Sequence, residues 1–294
     1  MKKTTLLAVA LILVLTLAAC GNKNNNASNS PSPEAPKASS GSASGSESAS
    51  ASTEAPVTVT KIVVGTGTQF PKVCFIDENG KLTGFDVELV REIDKRLPQY
   101  EFDIQTQEFQ SLLLSLETKK IDFVAHEMEK NPERTEKYLF NNEPYAHWRN
   151  KIVVAKDNNT VQSLDDLKGK KVLVGATSAQ AQILLNYNKE NNDAIKIVYS
   201  SGATNDTVQQ IVSGRVDATL AADFALSLID PDGKLKTTGN SLSEADILFM
   251  FRKDDAEGQK LSDAIDGAIK ELKADGTLGK LSSEWLGGDF TAEE

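Results

Sequence analysis

The sequence predicts an α/β protein of two hinged αβ lobes with a ligand cleft between them. Three observations carry this expectation. Short apolar segments alternate with amphipathic ones over 58–124, the alternation starts afresh beyond an extended stretch at 151–155, and a long amphipathic helix follows a last apolar run towards the C-terminus. Such alternation marks βαβ units on a parallel sheet, and its restart marks a second lobe.

The chain opens with Lys2 and Lys3, an apolar run over 6–17, and then Leu17-Ala18-Ala19-Cys20-Gly21. A charged start, a short apolar stretch and small residues describe an export signal over 1–19. The run is shorter than the roughly 20 residues that a spanning helix needs. A cysteine directly after the small residues resembles the lipobox of bacterial lipoproteins, which implies a lipid on Cys20 as the first mature residue. Residues 21–56 are almost wholly Asn, Ser, Ala, Pro, Gly and Glu, without apolar periodicity. Nothing there offsets the entropy of ordering, so 20–56 is expected to be a lipidated, disordered linker with a reach of about 30–35 Å.

In the patterned region a strand is expected at 61–65, followed by a helix at 86–97 in which Val87, Val90, Ile93 and Leu97 share one face. A strand at Tyr100–Thr106, a helix at Phe109–Glu117 with Leu112, Leu113 and Leu116 in step, and a strand at 121–124 complete the first run. After 151–155, Ser163-Leu164-Asp165-Asp166 reads as a capping box opening a short helix that Gly169 closes. A strand at Lys171–Gly175, helix 179–189, strand 195–199, helix 205–213 and strand 217–220 form the second run. The last apolar run, 247–252, precedes a helix at 259–274 with Leu261, Ile265, Ile269 and Leu272 on one face, and a further helical region surrounds Trp285. Crossings near 150–156 and 240–247 would form the hinge. Residues 57–152 with 246–294 are then expected to make lobe 1, and 153–245 lobe 2.

Composition narrows the function. A formal charge of -10 disfavours nucleic acid as a partner, and 6% aromatic residues is thin for a sugar-stacking surface. With Cys20 lipidated, Cys74 has no disulfide partner and reads as a small buried thiol; two histidines are too few for a metal cluster. Nucleophile-elbow, Walker and dinucleotide signatures are absent. No catalytic residue, metal or cofactor is therefore expected.

Open parallel sheets bind ligands beyond the carboxyl ends of their strands. Those positions are 66–70, 107–109, 125–129, 176–179, 201–204 and 221–223, with Arg134 about one helical turn further on. Their aromatics, hydroxyls and carboxylates suit a zwitterion. A guanidinium takes a carboxylate in a two-pronged fork, carboxylates such as Glu127, Glu129 or Asp223 take an ammonium, and Phe70 and Phe109 exclude water. Thr177 and Ser178, at a helix start, add hydroxyl and backbone donors. Each has a plainer reading: Arg134 paired with Glu133 or Glu136, Glu127 and Glu129 on a solvated edge, Phe109 in the core, Asp223 capping the next helix.

The segments Gly80-Lys81-Leu82-Thr83-Gly84-Phe85-Asp86-Val87-Glu88-Leu89, 116–122, Asn131-Pro132-Glu133-Arg134 through Phe140, and 163–175 resemble, in this order, solute-binding proteins of family 3, the polar amino-acid receptors of ABC importers. Gly214-Arg215-Val216-Asp217-Ala218, Phe251-Arg252-Lys253 and Asp275-Gly276-Thr277 extend the resemblance over 58–286. It implies a periplasmic-binding-protein-like fold of two lobes that closes on an amino acid and is read by a permease. It also implies that Arg134 takes the ligand carboxylate, helped by Thr177 and Ser178, between walls made by Phe70 and Phe109. Three positions depart from the family pattern: His126-Glu127-Met128-Glu129 replaces a Ser/Thr-rich segment, Gly67 stands where many relatives carry an acid, and Asp223 falls one position late for the ammonium contact.

The segment 129–140, Ala176-Thr177-Ser178 and Tyr187-Asn188-Lys189 are similar to the cystine-binding branch. The resemblance thus implies a monomeric, lipid-anchored receptor outside the cytoplasmic membrane that delivers L-cystine or a related sulfur-containing amino acid to an ABC permease and its ATPase subunits. Another polar or cationic amino acid is the alternative ligand, and a dehydratase or other lyase using His126, Glu127 and Glu129 is the alternative class.

Overall fold

The computed structural model describes residues 59–200 and 204–292; the export signal, Cys20 and the linker lie outside the described residues. The first run of elements is β1 (Thr60–Thr66), β2 (Gln69–Phe70), β3 (Cys74–Ile76), β4 (Leu82–Thr83), α1 (Phe85–Arg96), β5 (Tyr100–Thr106), α2 (Phe109–Glu117), β6 (Phe123–Glu129), α3 (Pro132–Lys137), β7 (Tyr138–Phe140) and β8 (Ala146–Ala155). A 3-10 turn (Asp165–Leu167) leads to β9 (Lys171–Gly175), α4 (Ala179–Glu190), β10 (Lys196–Ser200), α5 (Thr204–Val212), β11 (Ala218–Ala222) and α6 (Ala225–Ile229). The chain finishes with β12 (Leu235–Arg252), α7 (Ala256–Ala274) and α8 (Thr277–Leu286).

The strands form a sheet in the order β10-β9-β11-β8-β12-β6-β1-β5, with β7 beside β12, and β2, β3 and β4 make a small separate sheet. Its ends are parallel as expected: β1 with β5 and β6, and β9 with β10 and β11. Its middle is not. Strand β8 runs antiparallel to β11, and β12 antiparallel to β8 and β6. The purely parallel expectation fails there because the two crossings are themselves long strands running in opposite directions. Between the pairs Thr238–Ile152 and Ser243–Asn150 their register shifts. Gly239 sits in this irregularity at φ 68°, where an added Cβ would lie 2.0 Å from the Gln162 carbonyl oxygen, so only glycine fits.

Each end of the sheet is covered on both faces. At one end α1, α7 and α8 bury Val87, Ile93, Leu261, Ile265 and Leu278 against β1 and β12, while Leu112 and Leu116 of α2 pack on the opposite face. At the other end Ala181 and Leu184 of α4 cover one face, and Val208 and Ile211 of α5 the other. This is a two-lobed arrangement around a shared pair of strands. The 163–169 turn keeps the return half of the expected capping box, Asp166 Oδ2 accepting from Ser163 N, and the same oxygen also accepts from Gln162 N and Ser163 Oγ. Among the described residues no helix is long and apolar enough to cross a membrane.

Candidate functional site

A cavity of about 230 Å³ opens between the two ends of the sheet, where β6 and the loop after β1 face the start of α4. Strand β6 shapes it. Between its pairs with β12 at Val124–Met250 and Met128–Leu248, β6 carries two more residues than its partner, and Glu127 adopts a left-handed φ of 46°. A regular strand turns alternate residues to opposite faces; this bulge instead brings His126, Glu127, Met128 and Glu129 all to the cavity wall. Strain at a non-glycine residue persists where the surroundings over-determine it. Here Asp86 of α1 does so, its Oδ2 accepting from Glu127 N at 2.6 Å and from Tyr145 Oη at 3.2 Å.

Arg134 is 8% exposed, which excludes a surface pairing. Asn131 caps α3 by accepting from Arg134 N, and Pro132 opens the helix, so the arginine is directed inward. Its Nη1 donates to the Glu129 carbonyl at 2.8 Å and its Nη2 to the Thr177 carbonyl at 3.0 Å. Of five guanidinium N–H donors, three are left for a ligand.

Glu129 is a hub. Its carboxylate accepts from Trp148 Nε1 at 3.4 Å, from Gln180 Nε2 at 2.9 Å and from Asn150 Nδ2 at 2.9 Å. Burial raises its pKa, against these donors and the Arg134 charge. Asn150 also donates to Ser243 Oγ at 2.9 Å, and Gln180 to Asn150 Oδ1 at 2.6 Å, so β6, α4, β8 and β12 meet in one network. Glu127 is the opposite case: its two buried oxygens have no hydrogen-bond partner, and burial first, then the Asp86 and Glu129 charges, raise its pKa well above the usual range.

The other expected residues divide. Phe70 and Phe109 line the cavity with the His126 ring between them, its centroid 6.1 and 4.7 Å from theirs, and burial pushes the imidazole down to about 4, neutral at pH 7. Ser178 lines the cavity too, but its hydroxyl is used locally, accepting from Ala181 N as the cap of α4 and donating to the Gly175 carbonyl. The free donors there are instead the N–H groups of Ala179 and Gln180, the first two residues of α4. Thr177 gives its carbonyl to Arg134, while its buried hydroxyl has no hydrogen-bond partner. Asp223 lies elsewhere: it borders a separate depression with Lys130, Arg149 and Asp246, and its Oδ1 accepts from Phe224 N.

The sequence reading missed Asp86, Tyr145, Asn150 and Gln180. A signal existed for Asp86, a carboxylate directly beside the apolar stripe of α1; the amides gave none. Gly67 and His126, two departures from the family pattern, are one feature. A Cβ at residue 67 would lie 2.7 Å from His126 Nε2, and the ring is wedged between two phenyl groups. Gly67→Ala is expected to cost roughly 1–3 kcal/mol of ligand affinity or stability through overpacking, read by calorimetry and thermal unfolding. Unchanged values in both would refute the coupling.

The sequence model of the bacterial extracellular solute-binding proteins, family 3, matches residues 62–288. The L-cystine-binding protein TcyK of Bacillus subtilis is 49% identical over 235 residues, covering 79% of this chain and 86% of the relative. The L-cystine-binding protein TcyJ of the same organism is 44% identical over 232 residues, 78% and 85% of the two chains. A solved structure from Listeria monocytogenes has the same fold at a TM-score of 0.76 and 47% identity, covering 80% of this chain and 100% of that one.

Proposed function

The chain belongs to the bacterial extracellular solute-binding proteins, family 3, and we propose that it captures L-cystine between closing lobes and delivers it to an ABC permease. One observation carries the reading: one cavity holds a buried guanidinium with spare donors and a buried carboxylate with no partner. Such a pair is matched to the carboxylate and ammonium of an amino acid, and a buried carboxyl group without a partner in the empty site gains one from the ligand. Arg134 and the first amides of α4 take the carboxylate, Glu127 the ammonium, and Phe70, Phe109 and His126 enclose the stem. The resemblance to two cystine-binding relatives supports the sulfur-containing ligand.

Because Arg134 and Glu127 belong to one side of the cavity while Thr177, Ala179 and Gln180 belong to the other, ligand contacts favour closure. The lobes span 57–152 with 246–294, and 153–245. Binding needs no chemical step, so the chain acts as a receptor rather than an enzyme. Calorimetric titration with cystine, cysteine, arginine, histidine and glutamine tests the assignment. Tight binding of cystine alone is the expected result; preference for arginine would reassign the acidic wall to a cationic side chain.

The chain is held at the outer face of the membrane by lipid on Cys20. Cys20→Ser is expected to move the protein from the membrane fraction to the soluble one, and unchanged partitioning on immunoblots of both fractions would refute lipidation.

A further inference from the structure

Three buried carboxylate oxygens around the β6 bulge have no hydrogen-bond donor: Asp86 Oδ1 and both oxygens of Glu127. Asp86 is wholly buried on α1 and Glu127 is 8% exposed on the cavity wall, the two linked through the 2.6 Å bond from Glu127 N to Asp86 Oδ2. The groups that face the pair bring no positive charge. From β3 comes the Cys74 thiol, pushed up to about 12 by burial, and from the segment before β8 the Tyr145 phenol, raised well above its usual value by burial. From β6 itself come Glu129, another acid, and His126, held neutral by burial. Arg134 acts on Glu129 and His126 and donates to carbonyls, not to this pair.

Two neighbouring buried carboxylates with no counter-charge, one without any donor and the other with donors on one oxygen alone, do not both ionise in a dry site. We propose that Asp86 and Glu127 hold one proton between them in the empty cleft, and that the arriving ligand ammonium displaces it, so that capture is coupled to proton release. The carboxylic O–H bond breaks, the proton passes to the solvent buffer, and the carboxylate left behind accepts from the ligand N–H. Burial pushes Asp86 up to about 7 and raises Glu127 well above its ordinary value, in the direction that keeps the proton on the pair. By linkage, affinity then rises as pH increases towards the pKa of the empty pair and levels off above it, by up to about tenfold per pH unit for one proton. Tyr145 and Asp86 touch no ligand; they position the acid that does.

This inference rests on the reading that Glu127 takes the ammonium. Infrared difference spectroscopy of the empty purified protein at pH 6 should show a carboxylic-acid C=O band that is lost in Glu127→Gln or Asp86→Asn. Adding cystine should remove the band, and the heat of binding should differ between phosphate and Tris in proportion to their ionisation heats, giving close to one proton released. Cystine that binds with the same heat in both buffers, or an empty protein without the band, overturns the proposal. Failure of cystine to bind at all refutes the ligand assignment instead. The band in the empty protein then decides alone, its presence sustaining the stored proton and its absence overturning it.

Discussion

Arg134→Ala is expected to weaken amino-acid binding by a factor of about 30 to several thousand. Removing one member of a buried, hydrogen-bonded charge pair costs about 2–5 kcal/mol, and each 1.4 kcal/mol is tenfold. The loss has two parts. The ligand carboxylate loses its fork, and the carbonyls of Glu129 and Thr177, which the guanidinium bonds from both sides of the cavity, lose their donor. Closure is weakened along with contact. Arg134→Lys keeps the charge but cannot reach both carbonyls and a carboxylate in one plane, so most of the loss should remain. Calorimetry measures it, with circular dichroism as the check that the variant folds. Trp148 lines the cavity and gives an independent fluorescence signal for closure. Full affinity in the alanine variant would remove Arg134 from the site.

The second large effect is a trade between stability and binding at Glu127. Its buried carboxylate has no donor, and its backbone is left-handed. Glu127→Gln should weaken binding by roughly 10- to 100-fold, the worth of a hydrogen bond to a charged group. The same change should stabilise the empty protein by about 1–3 kcal/mol, since one fewer acid is buried beside Asp86. For a chain of this size that is a rise of about 2–4 °C in Tm per kcal/mol. The sign with pH follows from the raised pKa values. A folded acid whose pKa is raised holds a proton that the unfolded chain has released, so the folded state binds more protons and stability falls as pH rises. For Asp86 the window runs from its ordinary 3.8 to about 7, and Glu127 extends the fall upward from its ordinary 4.5. Thermal unfolding of the empty protein from pH 4 to 8 should show this decline, and a shallower one in Glu127→Gln. A variant that binds like wild type, or unfolds at lower temperature, would show that the carboxylate is not reserved for the ligand.

Most elements were legible because local periodicity set them. Strand β5, helix α2 and strand β9 fall where the alternation places them, to the residue. The alternation places a strand only over 121–124, yet β6 continues to Glu129, since His126-Glu127-Met128-Glu129 carries no strand signal by itself and is held by pairing with β12. The full length of β12 was hidden for a similar reason. Its polar middle, Gly239-Asn240-Ser241, is a crossing between lobes rather than a core strand. Helix α3 was too short for a period to show.

By itself, the sequence determined the α/β class and the two runs that make two lobes, because apolar spacing is a local property and the motif order of the family is written along the chain. Only the tertiary structure decided which polar groups remain free. Ser178 Oγ is spent on capping α4, Glu129 is held by Trp148, Asn150 and Gln180, and Asp223 faces a different depression, while Glu127 is left unpaired beside Asp86. Whether a carboxylate awaits a ligand depends on the donors that other segments bring within hydrogen-bonding distance, and those meet it only once the chain has folded.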